Sequence, residues 1–222
     1  MIPAHHNKIA HLLFRPYLHF LTKNKFHCVR VFGPLPEFPP DRSVLLLPNH
    51  SSWWDGFIIY LVNDLYWKKK PYVMMEEKQL KRFPYFNKLG AYSVCPGNKT
   101  DVEKSIIYTA ELLAKPENLV FMFPQGKLLP WHQRPLVFKQ GYKRILDSVS
   151  VKPLIYICGI RPEFTREQYP EIFLEFRSVN MDETEKDELT GIMENLLKNL
   201  ENRIVLEEKG SLLFAGRKSL SE

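Results

Sequence analysis

His50 and Asp55 stand five residues apart in the stretch Leu45-Leu46-Leu47-Pro48-Asn49-His50-Ser51-Ser52-Trp53-Trp54-Asp55-Gly56. A histidine oriented by a carboxylate is the usual equipment of a general base: the carboxylate fixes one ring nitrogen and leaves the other to take a proton. These residue types read as Asp55 holding His50 while His50 deprotonates a hydroxyl. With seven histidines in 222 residues, a chance pair at this spacing is not rare, so the pair alone carries little weight.

The elements that must position the pair are legible around it. Val44 to Leu47 is a short apolar run that reads as a strand buried on both faces of a parallel sheet. It delivers the chain into the polar turn, and Asp55 or one of the serines then caps a helix through Phe57, Ile58, Ile59, Leu61 and Val62. Residues 4–24 mix apolar and aromatic side chains with His5, His6, Lys8, His11, Arg15, His19 and Lys23. That pattern predicts an amphipathic helix, kinked or restarted at Pro16, which either packs on the core or lies among anionic headgroups. The four histidines lack cysteine or carboxylate companions at ligand spacing, so no metal site is expected.

Further strands are predicted at Cys28–Phe32, Pro71–Met75, Ala91–Cys95, Leu119–Phe123 and Pro153–Ile160, with an edge strand through Ile172, Leu174 and Phe176. Helices are predicted over Gln79–Phe86 (short), Val102–Leu113, Phe138–Val149 and about 183–208, and the tail after Gly210 either packs or frays. Strands alternating with helices predict one α/β domain over 1–222: a mostly parallel central sheet, helices on both faces, and an N-terminal amphipathic helix within 1–25.

Composition bounds the partners. Hydrophobic residues make up 45% and charged residues 25%, as in a folded globular protein. A formal charge of +6 implies a polyanionic partner, either nucleic acid, an acidic membrane or a phosphorylated small molecule. No nucleic-acid-binding motif accompanies the charge, so nucleic acid is not expected. Three cysteines in apolar runs read as free thiols in a reducing compartment. No apolar run approaches the roughly 20 residues of a spanning helix, and no secretory signal opens the chain, so the expected location is peripheral, on the cytoplasmic side of a membrane.

Other blocks accompany the pair. Asn49-His50-Ser51-Ser52-Trp53-Trp54-Asp55 resembles the Asn-His-x4-Asp block of the glycerolipid acyltransferase superfamily, which esterifies glycerol phosphate and lysophospholipids. Phe123-Pro124-Gln125-Gly126 resembles its Phe-Pro-Glu-Gly block, Phe138-Lys139-Gln140-Gly141 the helix opening that follows, and Lys152-Pro153-Leu154-Ile155 its apolar-Pro-apolar block. Phe83-Pro84-Tyr85-Phe86 leading to Leu89-Gly90-Ala91-Tyr92-Ser93-Val94 matches the second block loosely. The blocks run in order through residues 44–160.

The resemblance implies that His50 takes a proton from an acceptor hydroxyl, the oxygen attacks an acyl thioester, and coenzyme A or acyl carrier protein leaves. The thioester is a co-substrate and no cofactor is implied. No acyl-enzyme is required, and no Gly-x-Ser-x-Gly elbow supports a serine hydrolase. Asn49, Ser51, Phe123, Pro124, Gln125, Gly126 and Lys127 are the substrate-binding candidates, with backbone N–H groups around Gly126 facing the oxyanion. The chain also departs from the family, with Gln125 where glutamate is common, and Leu128 and Pro96 where phosphate-holding arginines are common. Lys127, Lys99 or Arg134 would have to substitute, or the acceptor lacks that phosphate and is a glycosylated isoprenoid, a sugar hydroxyl or an amino-lipid. A non-catalytic lipid-surface binder of the same fold is a further alternative, against which the retained His50 and Asp55 argue.

Overall fold

The computed structural model describes residues 1–185 and 188–218. In order the elements are α1 (Lys8–Lys25), β1 (Cys28–Phe32), β2 (Val44–Pro48), α2 (Asp55–Val62), a π-helical turn (Asn63–Trp67), β3 (Lys70–Glu76), α3 (Glu77–Arg82), a 3-10 segment (Pro84–Leu89), β4 (Ala91–Val94), α4 (Lys99–Leu113) and β5 (Asn118–Phe121). There follow α5 (Gly141–Ser148), β6 (Leu154–Glu163), β7 (Glu171–Val179), α6 (Met181–Glu185), α7 (Leu189–Val205) and β8 (Ser211–Ala215).

All strands join one 8-stranded sheet in the order β4-β3-β5-β2-β6-β7-β1-β8. From β4 to β6 every pairing is parallel, β7 runs antiparallel to β6, and β8 runs antiparallel to β1. The expected single α/β domain with a mostly parallel sheet is therefore what forms. β2 lies inside it, paired on both sides, and its alternating side chains serve two cores. Val44 and Leu46 pack with Phe14 and Leu18 of α1 and Ile58 and Leu61 of α2. Leu45 and Leu47 pack on the other face with Leu113 of α4, Ile145 of α5 and Leu197 of α7.

Three expectations are corrected. β7 is not an edge strand: β1 pairs beyond it and β8 beyond β1, so the chain's two ends bury it. The helix expected from Phe138 begins at Gly141, because the Lys139 backbone N–H donates to Pro124 O at 2.8 Å instead of entering a helical ladder. The helix expected over 183–208 is divided between α6 and α7, and its residues 186 and 187 lie outside the described residues. The tail after Gly210 packs as β8.

Helix α1 is continuous through Pro16, and docks through Ala10, Phe14, Leu18 and Thr22, spaced every fourth residue. Its first turn is tied to α2 by a ring chain. His6 Nδ1 and His11 Nε2 lie 2.8 Å apart, and His11 Nδ1 and Tyr60 Oη 2.5 Å apart. Burial first, then the charges of His11 and Lys70, push the His6 imidazole down from 6.5 to about 4. Burial also lowers His11.

Between these two values the unfolded chain binds a proton at His6 that the folded chain does not, so stability falls as pH drops through that window and is fully present above it. His6→Phe keeps a ring against Tyr72 and removes the titrating group. It is expected to flatten part of the acid decline when chemical unfolding is compared at about pH 7 and about pH 5. A slope identical to that of the parent would exclude this coupling.

Candidate functional site

Strand register brings the two polar turns together. β2 and β5 pair with Leu46 opposite Phe121, and the count continues past both strand ends to set His50 beside Gln125. There the His50 backbone N–H donates to Gln125 Oε1 at 2.6 Å, and the Phe123 ring stacks on the imidazole at 3.9 Å between centroids. The Leu129 N–H donates to His50 O at 3.0 Å, which closes the second turn over the first. The other flank of β2 is secured by Asn49, whose Oδ1 accepts from Ile160 N at 2.6 Å while its Nδ2 donates to Ile160 O at 3.1 Å. These contacts lie beyond the carboxyl ends of parallel strands, where open α/β sheets form their sites.

The His50 and Asp55 side chains meet, with Nδ1 and Oδ2 2.9 Å apart. Asp55 is fully buried, and its Oδ2 also accepts from Ser51 N at 2.8 Å and Ser52 N at 2.9 Å. Ser52 Oγ donates to Oδ1 at 2.8 Å. A carboxylate so surrounded by donors only accepts, so in the neutral ring the proton between the two side chains belongs to His50 Nδ1, and Nε2 is the nitrogen that can accept one. The imidazole is 23% exposed, and Nε2 makes no bond to another described residue. The arrangement can therefore serve as a positioned base, with Nε2 the accessible nitrogen.

Among the remaining candidates, the structure separates bracing residues from available ones. Both polar ends of Asn49 are engaged with Ile160, and the Gln125 carbonyl oxygen is engaged with His50, so both residues brace the turns. In that contact the amide oxygen of Gln125 accepts as a glutamate oxygen would. The Gly126 N–H, expected to face an oxyanion, donates to Phe123 O at 3.0 Å. The backbone N–H groups of Lys127 and Leu128 make no bond to another described residue. Ser51 Oγ is buried without a partner among the described residues. Pro124 is buried and supplies its carbonyl to Lys139.

The expected stand-ins for arginine fare differently. Arg134 Nη1 donates to the carbonyls of Trp131 and Gln133 in its own loop. Lys99 opens α4, which follows edge strand β4 and lies away from β2 in the strand order. Lys139, quoted in the sequence pattern as part of a helix opening, instead lays its side chain across Gly126. Trp53 is half exposed against Phe57, Phe83 and Phe86, whereas Trp54 packs edge-on against Phe26 at 4.9 Å.

Among the described residues, one group of possible metal ligands comes together: His27, Cys28 and Glu171. Its chemistry is already satisfied, since Glu171 accepts from Cys28 Sγ at 2.9 Å, Arg30 Nε at 3.1 Å and Thr165 Oγ1 at 2.5 Å. Burial, reinforced by Glu171, pushes the Cys28 thiol up to about 12, far from the thiolate a metal requires.

A family model described as Acyltransferase matches residues 29–160, the stretch that holds both the His50 turn and the Gly126 turn. No curated protein matches the chain.

Proposed function

The chain belongs to the acyltransferase family, and from that premise we propose that it moves a fatty acyl group from an acyl thioester to a hydroxyl of a lysophospholipid or glycerol-phosphate-type lipid. The observation that carries this reading is the His50 ring, locked through Nδ1 on a buried carboxylate with Nε2 accessible. The acceptor O–H gives its proton to Nε2, and its oxygen attacks the thioester carbonyl. The oxyanion is met by the N–H groups of Lys127 and Leu128, since that of Gly126 is committed to Phe123. On collapse the C–S bond breaks, and the leaving thiolate takes the proton back from Nε2. Products are an ester and a free thiol.

No acyl-enzyme enters the scheme, in keeping with the buried thiols: Cys28 is raised to about 12, and burial raises Cys158 well above its ordinary value. The test is release of free thiol with stoichiometric appearance of labelled ester, using acyl-CoA and acyl carrier protein donors with a panel of lysolipids. Absence of both products across the panel would overturn the proposal.

The same reading places α1 on the anionic cytoplasmic face of a membrane. No helix among the described residues is long and apolar enough to cross one. Opposite its docked face, α1 exposes Ile9, Leu12, Leu13, Tyr17 and Phe20, each by more than half, and Lys23 and Lys25 fill its last turn. Apolar side chains rimmed by cations suit an interface of headgroups and acyl chains. Burying each large apolar side chain is worth about 1.5–3 kcal/mol, and about 1.4 kcal/mol is tenfold in affinity. Leu12→Glu combined with Phe20→Glu is thus expected to weaken binding to anionic vesicles at least about tenfold, and salt to weaken the parent. Co-sedimentation unaffected by both changes would remove α1 from the membrane.

A further inference from the structure

We infer that Lys139 holds a phosphate ester of the substrate at this site, an assignment that rests on the acyl-transfer reading for its location. The backbone fixes the residue first. Buried Phe138 anchors the segment, and the Lys139 N–H donates to Pro124 O at 2.8 Å, so the chain is bonded to the turn that also carries Gln125 and Gly126.

From there the lysine stem crosses Gly126. A Cβ built on Gly126 would lie 2.7 Å from Lys139 Cε and Nζ and 2.8 Å from Cδ. Gly126 has φ of +67°, so the turn needs a glycine for its backbone, and the missing side chain leaves the groove in which the lysine lies. The ammonium is thereby delivered one residue from Gln125, whose oxygen holds the His50 N–H, and three from Phe123, whose ring stacks on His50.

Its charge is unpaired. Among the described residues Lys139 Nζ has no hydrogen bond and no ion pair. Of the other cations, Arg134 is engaged with the Trp131 and Gln133 carbonyls and Arg161 with Glu163, while Lys127 follows Gly126 as an exposed residue of the same turn. Lys139 is exposed, and its stem is laid over Gly126 in the turn that also carries Gln125 and Phe123. A compact ammonium with three donors and no internal partner suits the oxygens of a phosphate. Two substrates bring such a group, an acceptor with a phosphorylated headgroup and the coenzyme A donor.

Kinetics with paired substrates separate them: lysophosphatidate against monoacylglycerol as acceptor, and acyl-CoA against acyl-N-acetylcysteamine as donor. Lys139→Ala is expected to raise KM for the phosphate-bearing partner by at least about tenfold, with kcat little changed and the phosphate-free pair unaffected. Lys139→Arg should restore most of the loss. A rise that follows lysophosphatidate assigns the acceptor phosphate, and one that follows acyl-CoA assigns the donor. Equal losses on the phosphate-free pair, or no loss at all, would overturn the inference, since a lysine that merely covers Gly126 distinguishes no substrate.

Calorimetry with glycerol 3-phosphate, or with coenzyme A, needs no turnover. Affinity for one of them should fall at least about tenfold in Lys139→Ala and persist in His50→Ala. Equal affinity in parent and Lys139→Ala, or no affinity in the parent for either, overturns Lys139 and leaves acyl transfer standing. Lys139-dependent binding with no turnover of any substrate overturns acyl transfer and leaves Lys139.

Discussion

His50→Ala is expected to lower the rate of acyl transfer by about 10²- to 10⁴-fold, the usual contribution of a positioned general base, while the protein stays folded. The two halves of the expectation come from different contacts. The expected loss of activity comes from removing Nε2, the nitrogen left without an internal partner. Folding depends on the His50 backbone, whose N–H and C=O bond to Gln125 and Leu129 whatever side chain follows. Asp55 is not orphaned by the change, because Ser51 N, Ser52 N and Ser52 Oγ remain as donors. The stability loss should therefore stay near the roughly 1 kcal/mol of a single side-chain hydrogen bond. Rates and thermal unfolding measured on one preparation check both; full activity in a folded His50→Ala protein would end the case for this base.

What the chain discloses before folding depends on whether the controlling contact is local. Val44 to Leu47 reads as a doubly buried strand because every position is apolar, and each is indeed wholly buried. The alternation of Ile172, Leu174 and Phe176 looks like an edge strand, since nothing local announces that β1 and β8 come from opposite ends of the chain to cover it. Phe138 continues the apolar period of α5, yet the Lys139 N–H is drawn off by a carbonyl fifteen residues earlier.

The site divides in the same way. His50 and Asp55 are neighbours in sequence and in space. Asn49 and Gln125 look like recognition residues because they are polar and flank the base, but their partners, the Ile160 backbone and the His50 N–H, are reached only through sheet register. Lys139 escapes a sequence reading for the opposite reason. Its role depends on what Gly126 lacks, a side chain that would otherwise fill the place of the lysine stem.

Asp55→Ala is expected to cost about as much activity as His50→Ala and considerably more stability. Its carboxylate has no exposure and gathers His50 Nδ1, two backbone N–H groups and one hydroxyl. Alanine leaves the Ser51 and Ser52 N–H groups without their acceptor, at about 1–3 kcal/mol for each buried orphan, so a loss of about 3–5 kcal/mol is expected, in line with breaking other buried charged pairs. The imidazole loses its fixed tautomer as well, and the rate should fall by about 10²- to 10⁴-fold.

Asp55→Asn isolates the charge. His50 Nδ1, Ser51 N and Ser52 N all converge on Oδ2, so a carbonyl oxygen in that place keeps all three, and the amide NH2 in the place of Oδ1 meets Ser52 Oγ, which turns from donor to acceptor. Stability should then fall by only about 1 kcal/mol, the difference between charged and neutral acceptors. The negative charge that steadies the imidazolium formed in the transition state is gone, so the rate should still drop by at least about 10²-fold. Parental rates in Asp55→Asn beside a failed Asp55→Ala would mean that the carboxylate acts by orientation alone, and the electrostatic half of its role would have to be abandoned.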